Sequence, residues 1–249
     1  MDIFNPKLKK YQKKFDFTYS FGIYPTLELL KNKREMVLKV VLKDGAERFE
    51  GVSEILEICK REGVRFEYND RQVGKISYKE NTYVVGIFKK YECDISSESN
   101  HLVLVEPRNM GNMGTIIRSM VGFDFKDLVI VGNGADIFDP KVVSSTVGAI
   151  FKVNFKYFNN IEEYIKEYAN RTLYPFMLNG KKSVAEVAFK EPFSIIQGNE
   201  NEGLPTEYSN IGESVYIPHS KDIESLNLSV AASISMWEFR RRNGIIAQE

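Results

Sequence analysis

The chain is poor in the residues that build disulfide frameworks and metal sites, with two cysteines and two histidines among 249 residues. Two cysteines, Cys59 and Cys93, cannot form a disulfide framework for a chain of this length, so we expect reduced thiols in a cytoplasmic protein. His101 and His219 lie far apart, without cysteines or an acidic cluster at metal-ligand spacing, and we therefore expect no metal.

Long apolar runs and an excess of one charge are also missing. No stretch approaches the ~18 consecutive apolar residues of a membrane span, and an early acid makes the N-terminus unlike a secretory signal. The 34 basic and 34 acidic residues cancel, unlike in a protein that binds polyanions with its whole surface. Basic residues nevertheless cluster in Lys7–Lys14 and Arg240–Arg242. Each cluster is either solvated surface charge or a set of local contacts to phosphate.

The content of 43% hydrophobic and 27% charged residues is typical of a globular protein with one large domain or two small ones. The polar segment 92–100 predicts a boundary, so we divide the chain into domains 1–95 and 96–249. Strands alternate with helices in both parts. This pattern predicts an α/β fold, whose C-terminal domain has a mostly parallel sheet with helices on both faces.

Hydrophobic periodicity places the individual elements. In the N-terminal domain we predict strands at 36–42, 65–68 and 82–88, a short helix capped by Thr26, and a helix around 52–59 that Gly63 ends. In the C-terminal domain we predict strands at 101–106, 127–131, 152–157, 173–178, 193–197 and 214–217, and helices at 112–122, 140–146, 161–169, 183–188 and 227–242. Ligands of such sheets bind at the carboxyl ends of strands, so the loops after 106, 178, 197 and 217 form the candidate site.

The first informative loop leads into a helix with an unusual glycine-rich face that also carries Arg118. A glycine inside a helix costs ~1 kcal/mol relative to alanine, which indicates close approach of another backbone or a ligand. The fixed guanidinium of Arg118 suits a phosphate or a developing oxyanion, and Asn109 and Asn112 flank the helix start. The alternative is a capped helix with an ordinary surface arginine. The glycines of this face are Gly111, Gly114 and Gly122.

Two further loops carry unusual residues. The first, Gly198–Gly203, has the sequence Gly-Asn-Glu-Asn-Glu-Gly and follows an apolar run. Its glycines permit close approach of another backbone, and its glutamates suit the hydroxyls of a ribose. The alternative is a plain polar turn. The segment Ile217–Ser229 leads into a helix that is small or apolar on nearly every face until Glu238. Such a helix is buried on more than one side. Either the sheet covers one side and a homodimer partner covers the other, or the helix lies at the centre of the core.

In this order the three loops resemble the SpoU (TrmH-type) RNA ribose 2′-O-methyltransferases of the knotted SPOUT superfamily. That family carries Asn-x-Gly-Asn-x-Gly-Thr-x-x-Arg, Gly-Asn-Glu-x-x-Gly, and Ile-Pro followed by Ser-Leu-Asn-x-Ser-Val-Ala-Ala. The same patterns stand here at 109–118, 198–203 and 217–232. Residues 1–95 resemble the family's RNA-binding domain more loosely. The stretch 81–86 lacks the His-Gln-Gly of many members, and Ser144–Val147 replaces their Arg-Ala-Ser.

The resemblance implies a trefoil knot in the C-terminal domain, S-adenosylmethionine as cofactor, and a homodimer. It implies methylation of a ribose 2′-hydroxyl in structured RNA, with ribosomal RNA preferred to transfer RNA. The implied catalytic residues are Asn112, Arg118, Glu200, Ser225 and Asn227. The implied cofactor-binding residues are Leu178, Asn179, Gly180, Gly198, Asn199, Gly203, Ile217, Pro218, His219 and Leu226. Arg118 is expected to stabilise the developing alkoxide, and a phosphate oxygen or a water accepts the proton.

Other functions account for parts of the sequence. A Rossmann-type methyltransferase or nucleotide enzyme needs a glycine-rich turn after its first strand, where asparagines stand here. A non-catalytic RNA-binding or ribosome-assembly protein could keep the fold, although the five candidate catalytic residues are all present. An enzyme that methylates a base nitrogen is the third alternative, and the Ser-Leu-Asn pattern favours ribose over it.

Overall fold

A computed structural model describes residues 7–242, which form two compact units. The first comprises the chain up to Tyr91 together with Asp136–Lys152, and the second comprises Glu92–Ala135 and the chain from Val153 onward. Segment 136–152 therefore joins the first unit, although it lies far beyond residue 95 in sequence. The functional division into an RNA-binding domain 1–95 and a methyltransferase domain 96–249 stays a prediction.

The first unit is built on a four-stranded mixed sheet. Its strands are β1 (Phe17–Phe21), β2 (Val37–Leu42), β3 (Phe66–Tyr68) and β4 (Val84–Lys89), and its helices are α1 (Ile23–Asn32), α2 (Val52–Glu62), α3 (Asp70–Ile76) and α5 (Pro140–Ser145). The strand order is β1-β4-β2-β3, in which only β2 and β3 run parallel. Short 3-10 helices at Arg34–Met36, Ala46–Arg48 and Ala149–Lys152 complete the unit.

The predictions for this unit hold for three strands and for α2, which Gly63 ends in the left-handed conformation at φ 70°. The predicted cap at Thr26 is wrong, because α1 begins at Ile23 and Thr26 lies buried inside the helix. Its hydroxyl donates to the Ser20 carbonyl at 3.2 Å instead. The elements β1 and α3 were not predicted, although the β1 sequence Phe-Thr-Tyr-Ser-Phe alternates aromatic and hydroxyl side chains. All five residues of β1 are buried.

The helix predicted at 140–146 is confirmed as α5, capped by the Asp139 carboxylate, which accepts from the Lys141 N–H at 2.8 Å. It packs on β1, where the Thr18 hydroxyl donates to the Phe138 carbonyl at 2.6 Å. The Phe138 ring packs edge-on against Phe88, with 6.3 Å between ring centroids. These apolar contacts attach segment 136–152 to the N-terminal sheet.

The second unit contains a five-stranded, wholly parallel sheet. Its strands are β5 (His101–Val105), β6 (Asp127–Val131), β7 (Asn154–Phe158), β8 (Thr172–Pro175) and β10 (Phe193–Gln197), in the order β7-β6-β5-β10-β8. Its helices are α4 (Met110–Gly122), α6 (Ile161–Glu167) and α7 (Leu228–Arg242). A separate parallel pair joins β9 (Lys182–Ser183) to β11 (Val215–Tyr216), and 3-10 helices lie at Val184–Glu186 and Thr206–Asn210.

The predicted α/β fold with a mostly parallel sheet is confirmed. Every residue of β5, β6 and β10 is buried, as expected for strands covered on both faces. The helix predicted at 183–188 is present only as the 3-10 helix Val184–Glu186. The Lys181 and Lys182 N–H groups donate to the Ser214 carbonyl at 3.0 and 3.2 Å, and this pairing draws Lys182–Ser183 into β9. The implied trefoil knot stays a prediction.

The last helix, α7, buries one side within its own unit. Ala232, Met236 and Phe239 face inward, while Val230 and Trp237 are 45% and 41% exposed on the opposite side. A hydrogen bond of 2.8 Å between the Ser233 and Ser119 hydroxyls ties the helix to α4. One chain therefore covers only one side of a helix that was expected to be buried on more than one.

The arginine cluster at the end of α7 is engaged inside the chain. Arg241 and Arg242 both pair with the Glu238 carboxylate at 2.7 Å, and Arg240 lies 3.5 Å from Asp124. Arg242 also donates to the Val187 carbonyl at 2.8 Å. The cluster was expected to be solvated surface charge or a set of local contacts to phosphate; the structure instead shows a charge network at the helix end.

A buried histidine, His101, lies at the amino-terminal end of the central strand β5. The His101 Nε2 atom donates to the Ser96 carbonyl at 2.7 Å, which leaves Nδ1 to accept from the Tyr164 hydroxyl at 2.8 Å. Burial, followed by the positive charge of Arg171, lowers the pKa of His101 from 6.5 to about 4. The imidazole is therefore neutral in the folded protein at neutral pH.

This pKa predicts acid sensitivity of the fold. Between pH 6.5 and about 4 the unfolded chain binds a proton at His101 and the folded chain does not, so stability falls as the pH falls. We expect the free energy of unfolding to fall by an amount on the order of 3 kcal/mol by pH 4. Urea unfolding across this pH range would measure the loss. His101→Gln should flatten that part of the profile, whereas the exposed His219→Gln should leave it unchanged. An equal slope in both variants would contradict the assignment.

Candidate functional site

A cavity of about 550 Å³ opens at the carboxyl ends of β8 and β10. Three loops contribute to its walls, at 176–179, 197–204 and 217–231. Eight of the ten residues expected to hold a cofactor line it, and only Gly180 and Pro218 do not. The eight are Leu178, Asn179, Gly198, Asn199, Gly203, Ile217, His219 and Leu226. Two of the three family-like segments, 198–203 and 217–232, thus meet at one cavity, while the role of each residue stays a prediction.

At two positions in these loops only glycine fits, because another stretch of backbone passes too close for a side chain. A Cβ on Gly198 would overlap the backbone of Gly203, and a Cβ on Gly180 would overlap the backbone of Val215. The loop 198–203 is also closed by the Asn199 side chain, whose amide oxygen accepts from the N–H groups of Asn201 and Glu202 at 2.9 Å. The loop is therefore held in one shape before any ligand binds.

Glu200 reaches from this loop to the start of α4. Its carboxylate accepts from the Asn112 side chain at 3.0 Å and from the backbone N–H groups of Arg108 and Asn109 at 3.2 and 3.1 Å. Partial burial opposes ionisation, but these hydrogen bonds outweigh it and lower the pKa of Glu200. The ionised carboxylate fixes the loop before α4, and its engaged oxygens make it a poor proton acceptor.

Asn112 links this contact to the third loop. The Asn227 side-chain N–H donates to the Asn112 amide oxygen at 3.1 Å. The Asn227 amide oxygen accepts from the Ser229 N–H at 2.9 Å and from the Ser229 hydroxyl at 2.7 Å, which caps α7. We call this chain of contacts the Glu200–Asn112–Asn227 network. It joins side chains 88 and 115 residues apart in sequence.

Arg118 lies further along α4 and outside this network. Its side chain is exposed, and no other residue in 7–242 gives it a hydrogen bond or an ion pair. Gly122, on the same helix face, has no atom within 4 Å of an added Cβ, so the described chain leaves this face open. Ser225 is likewise exposed, at the wall of the cavity. The structure thus joins three of the five candidate catalytic residues and leaves Arg118 and Ser225 open to an external ligand.

Two features of the cavity fit a nucleoside. Leu178 is 64% exposed, so an aromatic base placed on it would cover an otherwise solvated apolar side chain. Volumes of 300–1,000 Å³, a range that includes this one, are typical of small-molecule sites. His219 lies at the wall and is bound locally, since its Nδ1 atom is 2.8 Å from the Ile217 carbonyl.

Sequence patterns missed part of the lining. Gln197, 4% exposed, lies at the base of the cavity, and its amide donates to the Ser235 hydroxyl at 3.3 Å. Glu224 also lines the cavity and is the neighbour of the predicted Ser225. Neither residue belongs to a recognisable sequence motif. From the sequence, Gln197 is interpreted as the polar end of a strand and Glu224 as a solvated charge in a loop.

In residues 7–242, no three acidic, histidine or cysteine side chains are grouped so that they could hold a metal ion. Nor does any helix in that part of the chain combine the length and the hydropathy needed to cross a membrane.

A parallel sheet with a ligand-sized cavity at the carboxyl ends of its strands defines this unit as an α/β protein of the small-molecule-binding class. Within that class, the model of the SpoU rRNA Methylase family matches residues 99–237. The chain belongs to this family, which confirms the resemblance seen in its sequence.

Individual proteins support the same relationship. The chain is 29% identical over 139 residues to ribosomal RNA small subunit methyltransferase G 2 of Syntrophobacter fumaroxidans, over 56% of its own length and 27% of the relative's. It is 27% identical to the 23S rRNA (adenosine(1067)-2′-O)-methyltransferase of Streptomyces laurentii, over 76% of this chain and 74% of that one. The fold matches the AdoMet-bound rRNA methyltransferase of Sinorhizobium meliloti with a TM-score of 0.78 and 24% identity, over 91% of this chain and 88% of that chain.

Proposed function

We propose that this protein transfers the methyl group of S-adenosylmethionine to a ribose 2′-hydroxyl in structured RNA, with ribosomal RNA preferred to transfer RNA. The observation that carries the proposal is the Glu200–Asn112–Asn227 network, which joins a cofactor-sized cavity to the helix of Arg118, an arginine with no partner among residues 7–242. The Streptomyces laurentii relative, named for 2′-O-methylation of 23S rRNA, supports the substrate. A ribosomal RNA substrate would also place the protein in the cytoplasm.

The sulfonium cofactor supplies an already activated methyl group. The chain's own residues then have to bring a weakly acidic hydroxyl into line and stabilise the charge that develops on its oxygen. Leu178, Asn179 and the loop 198–203 would hold the nucleoside part of the cofactor. Arg118 stays protonated, so it stabilises the developing alkoxide and does not accept the proton. Ser225 would orient the ribose at the cavity wall.

The test is a transfer assay with radiolabelled S-adenosylmethionine and purified ribosomal or transfer RNA from cells lacking the gene. We expect label in ribosomal RNA, and nuclease digestion with mass analysis should return it as a 2′-O-methyl nucleoside. Label on a base, or tight RNA binding without cofactor binding, would refute the proposal. The second result would instead support a ribosome-assembly protein.

We also propose that residues 1–95 bind the RNA. Two features support this: these residues form most of a separate compact unit, and Lys7–Lys14 brings positive charge to it. The C-terminal arginine cluster, engaged inside the chain, is not needed for this role.

The active form is proposed to be a homodimer that buries the outer side of α7. Val230 and Trp237, seven residues apart on one helix face, are the exposed apolar side chains that a second copy would cover. Trp237→Arg with Val230→Asp should give a monomer in sedimentation equilibrium at micromolar concentration. Tyr24→Arg, which changes a 60% exposed aromatic side chain elsewhere, should leave the dimer intact. A wild-type monomer would contradict the proposal.

A further inference from the structure

A second cavity, of about 620 Å³, lies next to the cofactor-type cavity. Its walls come from the ends of β5 and β6, the start of α6 and the 3-10 helix Thr206–Asn210. Asn199, Glu202 and Gly203 line both cavities. The proposed methyl transfer makes no use of this second cavity, although the two share a loop.

The second cavity combines an apolar floor with an acidic rim. Val105, Val131 and Ile161, each less than 9% exposed, form part of the floor. Four carboxylates stand around it, and only Glu106 has an ion pair within residues 7–242, at 3.1 Å from Arg108. The other three are Glu162, Glu202 and Glu207. The excess negative charge excludes phosphate groups and RNA and favours a cation.

Tyr208 provides an independent sign of a ligand. The residue is 7% exposed, it lines the cavity, and no other residue in 7–242 gives its hydroxyl a hydrogen-bond partner. Burial, followed by the carboxylates of Glu162, Glu207 and Glu106, raises the pKa of Tyr208 to about 12. The hydroxyl therefore stays protonated at neutral pH. The hydroxyl oxygen is not among the fully buried atoms of residues 7–242, so it opens into the cavity and is available to a ligand.

The spacing of the carboxylates selects among cations. No three acidic side chains of residues 7–242 are grouped so that they could hold one metal ion. Carboxylates set apart around an apolar floor instead fit a ligand whose charges are separated by methylene groups. Aliphatic ammonium chains have this form: their methylene groups pack on apolar surface while their charged ends stay at polar groups.

We propose that this cavity binds a free aliphatic polyammonium cation, with methylene groups on the apolar floor, ammonium groups at Glu162 and Glu207, and an N–H donated to the Tyr208 hydroxyl. Charge-assisted hydrogen bonds at the rim would provide most of the affinity, and the floor would select aliphatic amines over hydrated inorganic ions. The binding needs neither RNA nor methyl transfer.

The test is calorimetric titration of the full chain with spermidine, without RNA and with S-adenosylhomocysteine at saturation. We expect saturable binding at one site. Glu162→Gln with Glu207→Gln should weaken it at least about ten-fold, and Tyr208→Phe about three-fold. Glu50→Gln with Glu57→Gln is the matched control, because it removes the same charge from exposed side chains of the first unit and should leave the affinity unchanged.

Four results would overturn the proposal. An equal loss in the control pair, or equal displacement by Mg²⁺ at matched ionic strength, would reduce the binding to general charge attraction. Spermidine binding that occurs only without S-adenosylhomocysteine would place the amine in the cofactor-type cavity. Unchanged affinity in Tyr208→Phe would remove the hydroxyl from the site. That variant loses only an oxygen that has no partner among residues 7–242, so it keeps the fold even if the glutamine pair does not.

Discussion

Arg118→Ala is expected to lower the rate of methyl transfer by about a thousand-fold while the Kd for S-adenosylmethionine stays within about two-fold. The guanidinium is exposed, lies outside the cavity lining, and has no bond to another residue in 7–242. Its removal should therefore leave both the fold and the cavity unchanged. What is lost is the positive charge beside the developing alkoxide, which has no substitute in the Glu200–Asn112–Asn227 network.

Single-turnover transfer rates and calorimetry with the cofactor measure the two quantities separately. Arg108→Ala is the control, because Arg108 is also an exposed arginine, beside the same helix, but pairs with Glu106. Arg118→Lys should recover only part of the rate, since an ammonium keeps the charge and loses the planar fork. Full activity of Arg118→Ala would remove this residue from the mechanism.

Gly198→Ala is expected to abolish measurable cofactor binding and to destabilise the protein by about 2 kcal/mol. The new methyl group would overlap the backbone of Gly203, so one side of the loop 198–203 has to move. That movement displaces Asn199 at the cavity wall and Glu200 in the network. Thermal unfolding and calorimetry with S-adenosylmethionine measure the two effects.

Gly203→Ala is the control within the same loop. An added Cβ there meets no atom within 4 Å, and the substitution is opposed only by the backbone conformation at φ 70°. The expected cost is about 1 kcal/mol, with the cofactor still bound. Equal cofactor affinity in Gly198→Ala and the wild type would show that the close passage does not shape the cavity.

Strands buried on both faces were the easiest elements to predict. The strands at 127–131 and 193–197 were predicted with the bounds that the structure shows, because each is an apolar run flanked by turn residues. Segment 183–188 forms only the short 3-10 helix Val184–Glu186, because its start is paired with β11 by hydrogen bonds that local sequence does not encode. The strand β1 was missed although Phe17–Phe21 alternates aromatic and hydroxyl residues; only the structure shows that Thr18 and Ser20 are buried as well.

The site was predictable as three short segments and not as a set of contacts. Each segment is contiguous, so its glycines, asparagines and glutamate could be recognised one loop at a time. That 198–203 and 217–232 line one cavity followed from the rule that ligands bind at the carboxyl ends of parallel strands, whereas 109–118 lies outside the lining and is joined to it through Glu200. Which residues touch did not follow: Arg118 had been grouped with Asn112, but only Asn112 joins the network.

By itself the sequence determined the α/β class, the family and the residue types available for chemistry, because these depend on local patterns along the chain. Tertiary structure alone decided that Glu200 holds the start of α4, that segment 136–152 belongs to the N-terminal sheet, and that Tyr208 opens into an acidic cavity. The physical reason is that these contacts join residues far apart in sequence. Strand order and backbone packing bring them within hydrogen-bonding distance, and no local periodicity records that order.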